Sequence, residues 1–591
     1  MRTLLFLLLL ACGPPAYDPN ALPAVDDFAL IDHQGGSFKL SRHADASAVV
    51  LYVYAAGCPI ARQQLGDLAD LAKRFDTVKF LLLDASPQDT AASVREEAEQ
   101  FDIPFPILID DRQLVAEALD VRRTGEAIVL DPAHRRLVWR GPIDDRMDYG
   151  GQREQAQHAW LADALTRLVN QQAVEPNTAE VRGCAVSLPR SKAERAATGA
   201  PTPTFTQDVA PILHDRCQVC HRPSGIAPWA MTSYEVVRGW APMMREVIRT
   251  RRMPPWHADP WGPAFNHDLS LTPDQAATLV HWAEEGTPRG DGEDPFVRDG
   301  VPDQPDWPLG TPDILLTLPE RKVPATGQVP YWRPHLALPI TEPTWIRAAH
   351  VVPGNRKILH HALVFQVDAA HQNKRRDPND DDELSIWQDL LFSAFVPGME
   401  AGDPFPAGTG RLLMPGDELQ LTVHYAPDGR KEVDQTRIGL YIAHEPPAAQ
   451  FRVHAVANQD FRIPPGARAF PVQAEWVAPE PMMLLRVFPH MHLRGDTFTL
   501  EVVTPDGARQ TVTRLPSYDF NWQRWYELTE PLFVPAGSRV ICSGTFDNSA
   551  MNPNNPDPSA AVRQGLQTTN EMFVGYVAWR SATAAEATTP R

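Results

Sequence analysis

The chain has 591 residues, 43% of them hydrophobic, with 74 acidic against 55 basic side chains and a formal charge of −19. That length exceeds what one hydrophobic core organises, so several domains are expected. The negative balance repels nucleic acid and anionic lipid surfaces, which argues against a nucleic-acid role.

The chain opens MRTLLFLLLLACGPP, one positive charge and an apolar run from Leu4 to Ala11 before Cys12. The run is too short to cross a bilayer as a permanent helix, so residues 1–12 are expected to be a secretory signal. LLAC resembles a bacterial lipobox, which implies that Cys12 becomes the lipidated first residue and anchors an exported protein in the bacterial periplasm or envelope. An ordinary signal peptide with a chance cysteine is the alternative.

Strand and helix patterns alternate over residues 22–170. SAVVLYVYAAGCP is a buried-strand run reaching Cys58, and QQLGDLADLAKRF places Leu65, Leu68, Leu71 and Phe75 at helical spacing. Strand VKFLLLD, helix TAASVREEAEQF, strand FPILID, hairpin AIVLDPAHRRLVWRG and helix REQAQHAWLADALTRLV follow. This order, with a cysteine where the first long strand meets a helix, resembles the α/β thioredoxin/redoxin fold. A helix N-terminus favours a thiolate, so Cys58 is a candidate catalytic group. CPIA has Ala61 in place of the second cysteine of a C-x-x-C pair. Ala55 stands where a peroxiredoxin carries threonine, and Gly125, in RTGEAIVLD, where a thioredoxin carries its cis-proline. Cys184, in VRGCAVSL, is the available disulfide partner for Cys58. The domain is read either as a redox catalyst or as a degenerate scaffold.

Beyond a linker at 171–203, Cys217, Cys220 and His221 form C-x-x-C-H, the c-type haem attachment motif: two thiols for the vinyl groups and an imidazole for the iron. No second zinc-binding pair follows, which argues against a zinc-knuckle fragment. With helical SYEVVRGWAPMMREVI and TPDQAATLVHWAEEG, residues 204–295 resemble a small all-α class I cytochrome c. That implies one covalent haem c with Met253, in TRRMPPWHAD, as sixth ligand; Met243 and Met244 are the alternatives.

From Thr311 short strands broken by Pro and Gly continue to residue 580, an all-β pattern of the sandwich type. Histidines recur in it. RKILHHALVFQV carries His360 and His361, which face opposite ways in a regular strand and need a bulge or strand end to ligate together. In ELQLTVHY, His424 points away from the strand's apolar face. LRVFPHMHLRG carries His490 and His492, two apart and on one side, able to bind one ion together. TTNEMFVGYVAW carries Met572. Imidazole suits copper, zinc or iron, and a thioether selects Cu(I), so five histidines with a methionine point to copper.

H-H, V-H-Y, H-x-H and N-E-M, in this order, resemble the copper type II, ascorbate-dependent monooxygenases, typified by peptidylglycine α-hydroxylating monooxygenase and dopamine β-monooxygenase. The resemblance implies two jelly-roll-like β-sandwich lobes, residues 311–450 and 451–581, facing across a cleft, with a tail at 582–591. It implies two copper ions: His360, His361 and His424 would hold the electron-storing one, and His490, His492 and Met572 the one at which dioxygen is activated. Tyr576 matches the substrate-side tyrosine. Phe488 stands where the peptide-hydroxylating member has arginine, with Arg486 nearby, and Thr422 where glutamine is expected. Cys542 is the one cysteine in these lobes, so the family's disulfides cannot form, and the substrate does not carry over.

The expected protein is an exported, multidomain dicopper monooxygenase hydroxylating a C–H bond of an organic substrate with dioxygen. Electrons would come from an ascorbate-like reductant or another cytochrome through the tethered haem c. The alternatives are a copper-binding or sensing redox protein without hydroxylase activity, and a peroxide-handling protein in which Cys58 and the haem do the work.

Overall fold

The computed structural model describes residues 15–148, 151–188, 201–223, 225–301, 305–327, 329–368, 391–396 and 403–588. The signal and Cys12 lie outside the described residues. By its contacts the chain divides into two compact units: residues 1–202, 242–253 and 272–286 make the first, and 203–241, 254–271 and 287–591 the second.

The first unit is a thioredoxin-like α/β domain. Its strands are β1 (Ala29–Asp32), β2 (Ser37–Lys39), β3 (Ala48–Tyr54), β4 (Val78–Asp84), β5 (Ile107–Ile109), β6 (Glu126–Asp131) and β7 (Arg136–Pro142). They form one sheet in the order β2-β1-β5-β4-β3-β6-β7. The central pairs β3–β4 and β4–β5 are parallel. Every residue of β3 is buried, as in a strand covered on both faces, which is why AVVLYVY reads as continuous apolar sequence. The helices are α1 (Pro59–Gln63), α2 (Leu65–Arg74), α3 (Ala91–Gln100), α4 (Leu114–Ala118) and α5 (Trp160–Val169). α2 buries Leu65 and Leu68, and α3 starts at a capping box between Thr90 and Ser93.

The stretch expected to be a separate all-α cytochrome domain does not form a unit of its own. Residues 242–253 and 272–286 belong to the first unit, and 203–241 and 254–271 to the second.

The second unit is built largely from β-sheets. One six-stranded sheet runs Ile314–Thr317, Arg437–Ile442, Thr344–Val352, Thr409–Leu413 and Ala449–Gln450, with Asp403–Pro404 beside it. A four-stranded sheet orders His335–Ala337, Glu418–Tyr425, Leu359–Val367 and Leu391–Phe395. Two more four-stranded sheets follow: Arg452–Asn458, Phe573–Ser581, Met482–Met491 and Tyr526–Val534; and Phe470–Val477, Arg539–Phe546, Gly495–Val503 and Arg509–Leu515.

The two lobes share a packed layer along the strand Met482–Met491. All ten residues of Met482–Met491 are buried. Met482, Leu484, Val487 and Met491 enter the core of the C-terminal sheets. Met483, Leu485 and Phe488 enter another core together with Ile346, Val364 and Leu421 of the preceding lobe. Over this stretch one strand is a shared layer between the lobes, because both of its faces are apolar.

Candidate functional site

In the first unit, Gly57 at φ +78 makes the turn that delivers Cys58 to the start of α1. The Gly57 N–H donates to Glu97 Oε1 at 3.1 Å, and the Ala56 N–H to Asp89 Oδ2 at 2.9 Å, so two carboxylates hold this turn. Glycines also let residues 182–184 approach the loop before β6. A Cβ on Gly183 would lie 1.8 Å from the Thr124 carbonyl oxygen, and one on Gly125 2.8 Å from that of Arg182. The close approach brings Cys184 Sγ to 2.8 Å from Cys58 Sγ, with Thr124 Oγ1 at 3.1 Å from Cys58 Sγ.

The Cys184 N–H donates to Thr124 Oγ1 at 2.9 Å, which leaves the hydroxyl hydrogen for the Cys58 sulfur. Burial pushes the Cys58 thiol up, but hydrogen bonds from Cys184, Thr124 and the backbone outweigh it and bring its pKa below the usual value. Burial and the neighbouring Cys58 raise the thiol of Cys184. Cys58 is buried and Cys184 exposed. In a disulfide between them, an external thiol would reach Cys184, and Cys58 would depart as the better leaving group. Thr124 supplies from another loop the hydroxyl that Ala55 lacks. Its only sequence signal was its place before Gly125.

In the second unit, the strand pairing jumps from Leu359↔Tyr425 to His361↔His424, so His360 is the extra residue of a β-bulge. The bulge lets adjacent histidines face the same point. His360 Nδ1 and His361 Nδ1 are 3.0 Å apart, and one ligand atom from each of His360, His361 and His424 lies within 4.8 Å of the others. Burial lowers the pKa of His360 to about 4 and of His424 to about 3, and takes His361 well below its ordinary value. All three are therefore neutral imidazoles near pH 7, the form that binds metal. His424 Nδ1 is buried with no hydrogen-bond partner among the described residues. An orphaned nitrogen in a converging set of neutral imidazoles fits a copper ion. Tyr331 stacks on His424 with ring centroids 5.0 Å apart.

His490 and His492 leave the end of Met482–Met491 on one side, with rings 5.3 Å apart and perpendicular. His490 Nδ1 lies 2.6 Å from Gln523 Oε1, and His492 Nδ1 lies 3.2 Å from the Asn570 carbonyl oxygen. Both contacts are donations from Nδ1–H, so both rings keep Nε2 for a ligand. Burial lowers the pKa of His490 to about 4 and moves His492 in the same direction. Phe573 pairs with Met491, so Met572 follows beside the histidine pair at the ladder's end. The Glu571 carboxylate accepts the N–H groups of His492 at 2.9 Å and Arg494 at 2.7 Å, tying the methionine loop to the histidine strand. A pair of imidazoles joined by a thioether on the adjoining strand end would be a donor set of the kind that suits Cu(I).

The segment from Asp519 to Tyr526 touches both histidine sets. The Phe520 ring stacks on His360 at 5.3 Å and meets His361 at 6.2 Å, His424 at 6.4 Å and His492 at 5.9 Å. Gln523 is anchored by donating from Nε2 to the Phe520 carbonyl at 3.1 Å. Phe488, Trp525 and Tyr576 form an aromatic wall next to His490, the Phe488 ring lying 5.3 Å from Trp525 and 5.8 Å from Tyr576. Arg486 stacks over Phe451 and Trp525 at 4.9 and 4.5 Å. Phe520, Gln523 and Tyr331 escaped sequence reasoning. The aromatic cluster FNWQRWY was the one visible signal.

At the C-x-x-C-H motif the Cys220 and His221 N–H groups both donate to the Cys217 carbonyl, at 3.1 and 2.9 Å, making a compact turn. Burial, then the neighbouring Cys220, push the Cys217 thiol up to about 12. His221 Nδ1 donates to the Trp229 carbonyl at 3.0 Å, which leaves Nε2 for iron, and burial keeps the ring neutral. That orientation fits the fifth ligand of a haem. Met253, Met243 and Met244 belong to the first unit and this motif to the second.

Residues 23–137 match the AhpC/TSA family. Among curated proteins none matches the chain. Solved structures similar to it include an uncharacterized conserved protein from Geobacillus kaustophilus, 25% identical over 30% of this chain and 99% of that one, TM-score 0.25. Peroxidoxin BcpB from Mycobacterium tuberculosis is 24% identical over 27% of this chain and 98% of its own, TM-score 0.20. A secreted Mycobacterium tuberculosis disulfide oxidoreductase is 14% identical over 18% and 79%, TM-score 0.17. By the family match, the N-terminal part of the chain carries a thioredoxin-like redoxin domain.

Proposed function

We propose that the chain is an exported, lipid-anchored dicopper monooxygenase that inserts one oxygen atom of dioxygen into a C–H bond of an organic substrate. Cys217, Cys220 and His221 would hold a haem c, which would relay from an external reductant the two electrons that, with two protons, take the second oxygen atom to water. The observation that carries this reading is the convergence of His360, His361 and His424, three neutral imidazoles around one point, with the Phe520 ring touching both this set and His492 of the His490–His492 pair. Copper, when bound, supplies the one-electron chemistry that activates dioxygen. The chain's own part is orientation and exclusion of water. Gln523 and the Asn570 carbonyl keep the Nδ1 protons of His490 and His492. Phe488, Trp525 and Tyr576, all buried, pack as an apolar wall beside His490 and keep water from it. Trp525 Nε1, buried with no hydrogen-bond partner among the described residues, is a donor available to one polar atom of a substrate. With Phe488 in the place of an arginine, an apolar or aromatic substrate suits this wall better than a peptide carboxylate.

The test is the copper-to-haem ratio of the exported, copper-reconstituted protein beside a Met572→Ala variant. Two coppers per haem, with one site weakened by the substitution, is the expected result. A ratio near zero overturns the reading.

A second reading concerns the redoxin domain. The 2.8 Å approach of Cys58 and Cys184 supports a peroxide-handling dithiol: peroxide oxidises Cys58 to a sulfenic acid, Cys184 displaces water, and a disulfide forms. Mass mapping after peroxide treatment should find that disulfide in the native chain and a trapped Cys58 sulfenic acid in Cys184→Ser. Unmodified Cys58 in both would count against it.

A further inference from the structure

Arg524 lies within electrostatic reach of Cys220 of the C-x-x-C-H motif and forms no ion pair with a carboxylate among the described residues. Its side chain is 8% exposed, and its Nε and Nη1 atoms are buried with no hydrogen-bond partner among the described residues. The guanidinium stacks 4.5 Å over the Trp256 ring. Its electrostatic neighbours are Tyr526, Cys220 and Asp268, and the Asp268 carbonyl accepts from Arg216, the residue before Cys217, at 2.6 Å. No carboxylate among the described residues comes within ion-pairing distance of it. A buried cation in that condition is costly unless an anion joins it.

We infer that Arg524 binds a propionate carboxylate of the haem attached at Cys217 and Cys220. The inference rests on the haem c reading above. Attachment makes Cys220 a thioether, which carries no charge to balance the guanidinium. The same haem brings two carboxylates, and a planar guanidinium matches a carboxylate through paired N–H donors. Arg524 also directly follows Gln523, whose side chain holds His490. One short segment would then grip the haem edge and a copper ligand with consecutive side chains.

The test uses the full exported chain made in a host that attaches haem c, comparing native protein with Arg524→Lys, Arg524→Gln and Arg524→Leu. Covalent haem per chain and the haem midpoint potential are measured. Losing a cation beside the haem favours the more positive ferric form, so the potential should fall in the Gln and Leu variants. A tenfold shift of the reduction equilibrium, about 59 mV for one electron, is expected, with haem still attached and with lysine retaining most of the native value. Resonance Raman of the native protein supplies a second readout. Its propionate bending band should be that of a hydrogen-bonded carboxylate, which keeps the test decisive if a variant fails to fold. An unchanged potential, or the band of a free carboxylate, overturns the inference and leaves the haem reading standing. A native chain that carries no haem overturns both.

Discussion

Gln523 is the residue on which the orientation of His490 turns. Its amide oxygen lies 2.6 Å from His490 Nδ1, and its own nitrogen is fixed to the Phe520 carbonyl, so the imidazole can present only Nε2. Partners of this kind typically contribute about 10–100-fold to metal affinity. Under the copper reading, Gln523→Leu should weaken one of two copper sites by roughly that factor, and Gln523→Glu, which accepts the same proton, should retain it. Chelator competition reads both. Unchanged affinity in the leucine variant would show that His490 needs no such partner. At this scale the donors were legible because histidine, cysteine and methionine declare their chemistry in any sequence. Gln523 and Thr124 were not, since an amide or hydroxyl looks the same whether it meets solvent or a ligand ring.

At the scale of elements, the β-bulge at His360 and the C-terminal end of β4 carry the most consequence. The alternation of ELQLTVHY placed His424 off the strand's apolar face, and pairing with the bulged strand supplies the other two imidazoles. β4 ends at Asp84, which is 2% exposed and accepts the Ser86 N–H at 2.9 Å. Burial raises its pKa from 3.8 to about 8, helped by the neighbouring negative charge of Asp89. A carboxyl raised in the folded state favours folding while protonated. Its contribution is therefore present below 3.8 and is lost as pH climbs through about 8. Stability of the redoxin domain should fall over that window, by at most about 1.4 kcal/mol per pH unit for one group. Asp84→Asn should flatten the slope, as hydrogen exchange of the β3 and β4 amides would record. A slope left intact in the variant would assign it to another group.

For the second unit as a whole, the governing feature is the core that crosses between the two lobes. Phe488 is fully buried there, among side chains from both lobes. Phe488→Ala should cost about 3–5 kcal/mol and lower the unfolding transition of both lobes together, because the cavity opens in packing they share. Calorimetry or lobe-resolved hydrogen exchange would reveal it. Destabilisation confined to residues 451–581 would mean that the lobes unfold separately. Ligand motifs carry no information on how two sheets close, so this shared layer was not legible from them. The continuous burial of MMLLRVFPHM was written in its apolar letters, but which partner covered each face was not.

What the sequence determined by itself was local and chemical. The alternating strands and helices of the redoxin domain follow from periodicity, and the reactive groups from residue type and spacing. Only the tertiary structure decided three things: that Cys184 reaches Cys58 through the close approach at Gly125 and Gly183, that Phe520 lies against both histidine sets, and that residues 204–295 are divided between two units. The physical reason is common to all three. Each depends on contacts between segments far apart in the chain, whose free energy comes from non-directional burial and packing, and a pattern read along one segment does not say which distant surface will cover it.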